Sequence, residues 1–394
     1  MKALNSHVLP LIAAALLLFT VLAAGRGDCE SDGWKKTAEQ LMTGGNYREA
    51  LGAIEEHTRE NPKDHEGWQM EARCLIKMGK YDRALKCASK AMALHKGDFV
   101  SATLEGRIYL SKGSHDKAFA SFTRALAINS EYTDARIGLG EIYLKKKQPD
   151  KGRGEMKKAM KSCVVPEAEV YGAIAGAYLR EGLVNDAIYT YNEFLREEPE
   201  NAMVHHLLAQ AYLKKNDTRA EGALRKAVSF APKNMEYREA LGDYLAKAGN
   251  YKDAKKAYEN AILLGKAAPT TYYRLGILYY HEKKTEKALP LLEKAVAGKP
   301  DLVNAHLALG AAYLRGGSYK KCLEHCNAII KWSPDNETAY YNKACALAKL
   351  GKLAEAMQSL KKAIELEPSN KKLAKDEELL APLRGLAEFR KLTE

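Results

Sequence analysis

Gly45-Asn46-Tyr47-Arg48-Glu49-Ala50 stands 34 residues before Gly79-Lys80-Tyr81-Asp82-Arg83-Ala84, and Trp34 stands at the same interval before Trp68. A repeat of this length is one supersecondary unit that buries its apolar face only against its neighbours, so the period takes precedence over any residue-level reading. The register continues through ten units: 31–64, 65–98, 99–132, 133–166, 168–201, 202–234, 235–268, 269–302, 303–336 and 337–370. It slips twice, by one extra residue at Glu167 and by a one-residue deletion near Asn216.

The columns of this register carry a physical rule. The eighth place reads Ala38, Ala72, Gly106, Gly140, Ala175, Ala209, Gly242, Gly276, Gly310 and Ala344. The twentieth reads Ala50, Ala84, Ala118, Gly152, Ala187, Ala220, Ala254, Ala288, Cys322 and Ala356, small every time. The eleventh is Leu or Tyr from Leu41 to Leu347. Two antiparallel helices approach closely only where neither carries a large side chain, so the small columns are expected to meet at the crossing. A Leu at Gly242 or Ala254 should overpack it and cost about 1–3 kcal/mol. Gly45, Gly79, Gly113, Gly182, Gly249, Gly317 and Gly351 are placed to end first helices in a left-handed conformation. Pro62, Pro199, Pro232, Pro300, Pro334 and Pro368 close units, where proline stops the second helix.

This pattern resembles the tetratricopeptide repeat family. The family's landmarks stand in Trp34, Leu139-Gly140, Tyr143, Ala187, Tyr191, Ala227 and Pro232. Repeat 4 departs at Lys147, Pro149 and Gly152, and repeat 9 at Cys322 and Ile329. The resemblance implies an all-α, right-handed superhelical solenoid of about ten helix-turn-helix units. The array would occupy 26–370. The tail 371–394, with Ala381-Pro382-Leu383-Arg384 and Phe389, resembles the short closing helix of many bacterial arrays of this family. A last repeat needs a cap with one polar face.

Within 394 residues the repeats leave no segment for a catalytic domain. Gly-rich phosphate loops, zinc-spaced Cys/His sets and a Gly-x-Ser-x-Gly turn are absent, so the expectation is a protein that is not an enzyme and holds no metal or cofactor. Cys322-Leu-Glu-His325-Cys326 has the wrong order for c-type haem, which needs the histidine last. Its two cysteines fall at core-facing places and read as small buried hydrophobes. His205-His206 reads as packing, one ring inward and one toward the groove. The seven cysteines, Cys29, Cys74, Cys87, Cys163, Cys322, Cys326 and Cys345, are odd in number and change place between repeats, which excludes a disulfide framework. Cys29 and Cys345 are expected to be the exposed, reactive pair.

A net charge of +12 favours anionic partners in general. A nucleic-acid partner is not expected, because neither a recognised module nor a basic tail accompanies that charge. At the N-terminus, Lys2 precedes the apolar run Val8–Ala24, then Ala23, Ala24 and Gly25 precede Arg26, Asp28 and Glu30. This is the layout of an export signal over residues 1–25, with cleavage after Ala23 or Gly25, or of an uncleaved anchor. The layout implies export, and the tail's resemblance to bacterial arrays implies that the destination is the periplasm or, with an uncleaved anchor, a membrane's outer side. Arg26-Gly27-Asp28 before Cys29 does not suit lipidation, and as an adhesion tripeptide it is a coincidence of position.

The resemblance implies that the second, fifth, ninth, twelfth and thirteenth places face a concave groove. The early repeats put Lys35, Glu39, Arg73, Lys77 and Arg107 there. Repeat 5 offers Gly172 and Gly176, where a ligand backbone could come close. Repeat 7 offers an acidic patch of Glu236, Glu239 and Asp243. Repeats 8 to 10 offer Tyr273, Ile277, Tyr280, Leu307, Leu314, Tyr341 and Cys345, an apolar stretch expected to be wet and to anchor a partner unless the cap covers it. On this reading Tyr273→Ala with Tyr341→Ala abolishes binding and leaves helicity intact. Cations at the thirteenth place, Lys77, Lys145, Arg180, Lys214, Lys247, Arg315 and Lys349, form either a track for an acidic peptide or helix-dipole complements. Repeat 4 gathers Lys145, Lys146, Lys147, Lys151, Arg153, Lys157, Lys158 and Lys161, which could meet an anionic membrane surface. Lys35 followed by Glu39 does not match the family's clamp for chaperone tails. The function expected is a scaffold binding a protein or peptide, in envelope assembly, secretion or polysaccharide export. The alternatives are a polyanion or membrane-surface binder and a non-catalytic subunit of an envelope enzyme.

Overall fold

The computed structural model describes residues 33–163, 165–265 and 267–394. The leader at 1–25, the tripeptide Arg26-Gly27-Asp28 and Cys29 lie outside them. Among the described residues every regular element is helical, and along the chain the helices follow one another as ten helix–turn–helix pairs before the C-terminal segments. The pairs are α1 Gly33–Thr43 and α2 Tyr47–Glu60, α3 His65–Lys77 and α4 Tyr81–Leu94, α5 Phe99–Ser111 and α6 His115–Ile128, α7 Thr133–Lys145 and α8 Pro149–Ser162, and α9 Ala168–Arg180 and α10 Val184–Glu197. They continue as α11 Ala202–Lys214 and α12 Arg219–Phe230, α13 Met235–Lys247 and α14 Tyr251–Leu263, α15 Pro269–His281 and α16 Thr285–Gly298, α17 Val303–Arg315 and α18 Tyr319–Trp332, and α19 Glu337–Lys349 and α20 Leu353–Leu366. The chain divides into two compact units, one ending at Asp186 and the other beginning at Ala187.

Local chemistry sets the helix ends. Asp64, Asp98, Asn201, Asn234 and Asn336 each accept a backbone N–H of the first turn that would otherwise lack a partner. All seven turn glycines named above have positive φ, from 70° at Gly317 to 81° at Gly249. The corresponding turns of repeats 4, 6 and 8 place Lys147, Asn216 and Lys283 in the same left-handed region, at φ 58°, 53° and 60°. A Cβ there crowds the following carbonyl and costs about 1–2 kcal/mol, less for Asn. Lys283→Gly is therefore expected to raise stability by about 1 kcal/mol. Urea unfolding with an unchanged or lower midpoint would contradict this.

The interior follows the small columns, with one refinement. A Cβ on Gly152 would lie 3.2 Å from the Gly140 carbonyl, and one on Gly276 would lie 3.4 Å from the Ala288 carbonyl, so the eighth and twentieth places do meet. The tighter constraint comes from the twenty-fourth place. Phe122, Met156, Tyr258 and Leu292 are buried there, and each lies over an eighth-place glycine at a distance a Cβ would reduce below 3.0 Å. The glycine thus makes room for a large side chain as well as for a helix backbone. In repeat 9 the smaller Cys326 takes that place, and a Cβ on Gly310 would make only ordinary contact with its sulfur, at 3.9 Å.

The C-terminus closes the array with three short segments rather than one helix: α21 Asn370–Asp376, a 3₁₀ turn Glu378–Leu383 and α22 Ala387–Thr393. Leu380, Leu383 and Phe389 join a core with Leu314, Cys345, Leu347 and Leu360. The 3₁₀ turn packs on α19.

Candidate functional site

The first-helix face was expected to carry the site, and the structure sorts its residues by what already engages them. Arg73 and Lys77 are exposed. Arg107 is not free: its guanidinium lies 2.8 Å from Glu141, which also takes Arg180 at 3.2 Å. Lys145 and Lys147 both reach Glu181 at 3.5 Å. These cations tie one repeat to the next, so that part of the thirteenth-place ladder is structural. The basic stretch of repeat 4 is similarly engaged, with Lys146 on Asp116, Arg153 on Asp150 and Asp186, and Lys158 on Glu155. That reduces the free positive charge it can offer a membrane.

The acidic patch dissolves in the same way. Glu239 accepts the Thr271 hydroxyl. Asp243 accepts the Tyr258 hydroxyl at 2.7 Å and pairs with Arg274 at 3.0 Å, while burial holds its carboxyl above the usual range. Only Glu236 of the three stands well exposed, 3.8 Å from His206 Nε2. Both acids are used to join repeats 7 and 8, which sequence spacing alone did not reveal.

The apolar stretch of repeats 8 to 10 is drier than expected. Leu314 and Cys345 are buried, and Tyr273, Ile277, Tyr280 and Tyr341 pack half-buried against the core that the cap completes. The cap thus covers the repeat 10 end. Leu307 is half-buried, and Arg315 lies over the Tyr280 ring at 5.2 Å. Removing Tyr273 and Tyr341 together would accordingly disturb the core as well as any surface. Cys345 is not a reactive thiol: it is fully buried, and burial pushes its pKa up. Cys322 and Cys326 are also fully buried, their sulfurs 3.8 Å apart. Maleimide is expected to leave all three unmodified in the folded chain and to label them in denaturant. Mass spectrometry showing labelled Cys345 in native buffer would refute this.

An open cleft of about 490 Å³ lies instead where α11, α12 and α13 meet. His206 and Gln210 from α11, Asn216 and Asp217 from the shortened turn, and Asp243, Tyr244 and Lys247 from α13 contribute its polar groups. Leu213, Leu224, Ala240 and Ala248 form apolar wall. His206, Gln210, Leu213, Asp243 and Lys247 occupy the fifth, ninth, twelfth, ninth and thirteenth places of their repeats. The sequence signal for this site was the deletion near Asn216, where the cleft opens. His206 is only 7% exposed, and its Nδ1 has no partner, while Gln210 Nε2 lies 2.8 Å from its Nε2. Burial pushes the His206 pKa down against the pull of Glu236. Among the described residues no cluster of three or more His, Cys, Asp or Glu could hold a metal ion, and no helix is long and apolar enough to cross a membrane.

Comparison with known proteins supports the helical-repeat reading. Stress-induced-phosphoprotein 1 of Caenorhabditis elegans is 25% identical over 183 residues, 45% of this chain and 55% of that protein. TPR repeat-containing protein YpiA of Bacillus subtilis is 23% identical over 202 residues, 50% of this chain and 46% of its own. The matches span 55% or less of these relatives' lengths. Among solved structures, YrrB, described as a TPR protein with an unusual peptide-binding site, is 23% identical, with 48% of this chain and 95% of that one covered at a TM-score of 0.43. MamA is 25% identical, with 44% and 96% covered at a TM-score of 0.40. Tetratricopeptide repeat family models match residues 70–132, 173–234 and 239–303, then 109–162 and 279–347, and finally 338–370. The chain belongs to the tetratricopeptide repeat family.

Proposed function

We propose that this chain is a non-catalytic scaffold that holds an extended segment of a partner protein along the first helices of repeats 6 to 9. Tetratricopeptide repeats mediate protein–protein interactions, and the coarse reading follows from membership. The observation that carries the finer one is the cleft lined by His206, Gln210, Leu213, Asp243 and Lys247, groove-place residues of two successive repeats. Concave, partly apolar sites with a few convergent polar groups are where ligands bind. Tyr273, Ile277, Tyr280 and Leu307, half-buried at groove places of the neighbouring repeats, would give the segment further apolar contact. The apolar run Val8–Ala24 after Lys2 supports export and a role in cell-envelope assembly or secretion. N-terminal sequencing of the protein from an envelope fraction tests that part, and recovery of the intact protein from cytosol alone would refute it.

The binding reading is tested with a photo-crosslinking amino acid placed at Leu213, or at the exposed second-helix residue Lys256 as a control. The expected result is a discrete cross-linked partner from Leu213 only, lost when Ala240→Phe fills the cleft. Cross-links that ignore Ala240→Phe, or that arise equally from Lys256, would overturn it.

A further inference from the structure

The carboxylates of the cleft are engaged, while its lysine is not. Its two carboxylates already have donors. Asp217 accepts from the Arg219 backbone N–H at 3.0 Å and from its guanidinium at 2.7 Å. These contacts hold its pKa down at about 2. Asp243 accepts from Tyr258 and Arg274. Gln210, Asn216, Thr218 and Tyr244 bring acceptors as well as donors, and two further donors are left over. With the Gln210 amide donating to His206 Nε2, the imidazole proton sits on Nδ1, the atom without a partner. Lys247 has no ion-pair partner among the described residues, in contrast to Lys145 and Arg180 at the same place of repeats 4 and 5. Between these donors, Leu213, Leu224, Ala240 and Ala248 offer wall for methylene groups. The donor open to a ligand is the Lys247 ammonium, and a carboxylate is its strongest acceptor.

Resting on the peptide-holding reading above, we infer that the cleft selects a side-chain carboxylate, a Glu or Asp set among aliphatic residues of an extended partner segment. The carboxylate pairs with the exposed Lys247 beside the His206 ring, whose Nδ1 is itself closed off from solvent, and the neighbouring aliphatic side chain lies on Leu213 and Leu224. Glu236 stands exposed at the edge near His206 and opposes such a ligand. That makes the geometry testable in both directions.

The test displays random octapeptides with no free C-terminus and selects them on the immobilised full chain. The expected result is at least tenfold enrichment of Glu or Asp beside Leu, Ile or Val, abolished by Ala240→Phe. Lys247→Glu should reverse the preference toward Lys and Arg, and Glu236→Gln should strengthen the original one. Circular dichroism confirms that each variant keeps its helices. Synthetic peptides then separate the sources of the carboxylate. A Glu peptide with an amidated end should bind at least tenfold tighter than its Gln counterpart, whose own free C-terminus should not restore binding. Peptides that are enriched and lost with Ala240→Phe, yet show no acidic excess or respond only to a free C-terminus, would overturn the carboxylate assignment alone. Recovery of no cleft-dependent peptide would overturn the peptide-holding reading with it.

Discussion

Gly138→Val is expected to destabilise the unit ending at Asp186 by about 3 kcal/mol, near the upper end for overpacked interiors. Phe122 of α6 is fully buried and lies between two glycines from different helices. A Cβ on Gly106 of α5 would stand 2.6 Å from the ring, and one on Gly138 of α7 would stand 2.4 Å from it. Ordinary overpacking is relieved when the crowded side chain shifts. Here a shift away from α7 drives the ring into α5, so the helices must separate. A midpoint drop of roughly 6–12 °C in thermal unfolding follows for a unit of this size. Gly154→Ala in α8 is the control, because a Cβ there meets nothing within 4 Å. It should gain about 0.5–1 kcal/mol, since alanine is the better helix former. Phe122→Leu should restore much of the stability lost by Gly138→Val, a coupling a double-mutant cycle reads directly. Wild-type stability in Gly138→Val, or no rescue by Phe122→Leu, would show that the ring is not clamped.

Gly138 also marks where sequence reading stopped. The eighth and twentieth places were legible because the helix-pair crossing recurs in every unit, and a recurring constraint leaves a column. Gly138 sits at a sixth place and answers to one ring in one neighbour, which leaves no column. The turn glycines were legible for the same reason, and Lys147 and Lys283 adopt their conformation because the surrounding helices determine it. The groove was legible as a set of places but not as a surface. Arg107, Glu239 and Asp243 have the right places, yet each is engaged by a partner roughly one repeat away or in the next helix. Spacing says which way a residue points, not which long side chain reaches it. Cys345 failed as an exposed thiol because the cap folds onto α19, an event written in residues far along the chain. The cleft left one trace, the deletion near Asn216. A missing residue marks a place of irregular packing but says nothing of its chemistry.

Acidification is expected to weaken the unit beginning at Ala187, and His325 is the main reason. His306 Nε2 donates to the Pro300 carbonyl at 3.0 Å, so its Nδ1 accepts from His325 Nδ1 at 2.9 Å. His325 also stacks on Tyr313 at 5.6 Å. Burial and the neighbouring His306 push the His325 pKa down to about 4; Lys321 adds to this, and Glu293 opposes it while accepting the Tyr313 hydroxyl. In the unfolded chain the ring titrates near its ordinary value of about 6.5. Between those two values the unfolded state binds the extra proton, so stability is complete above pH 6.5 and falls as the pH drops toward 4. Each pH unit in that window is worth up to about 1.4 kcal/mol, and allowing for the ring's partial exposure a loss of about 1–2 kcal/mol is expected between pH 7.5 and pH 5. His205 and His206, whose pKa values are also lowered by burial, add to it in the same direction. Trp332 lies on the same helix as His325 and reports the event once Trp34→Phe and Trp68→Phe remove the other indoles. Urea midpoints followed by its fluorescence should fall from pH 7.5 to pH 5, and His325→Phe should flatten that dependence because it removes the titrating group. Equal midpoints at the two pH values, or an unchanged slope in His325→Phe, would show that the histidine pair does not couple folding to protons.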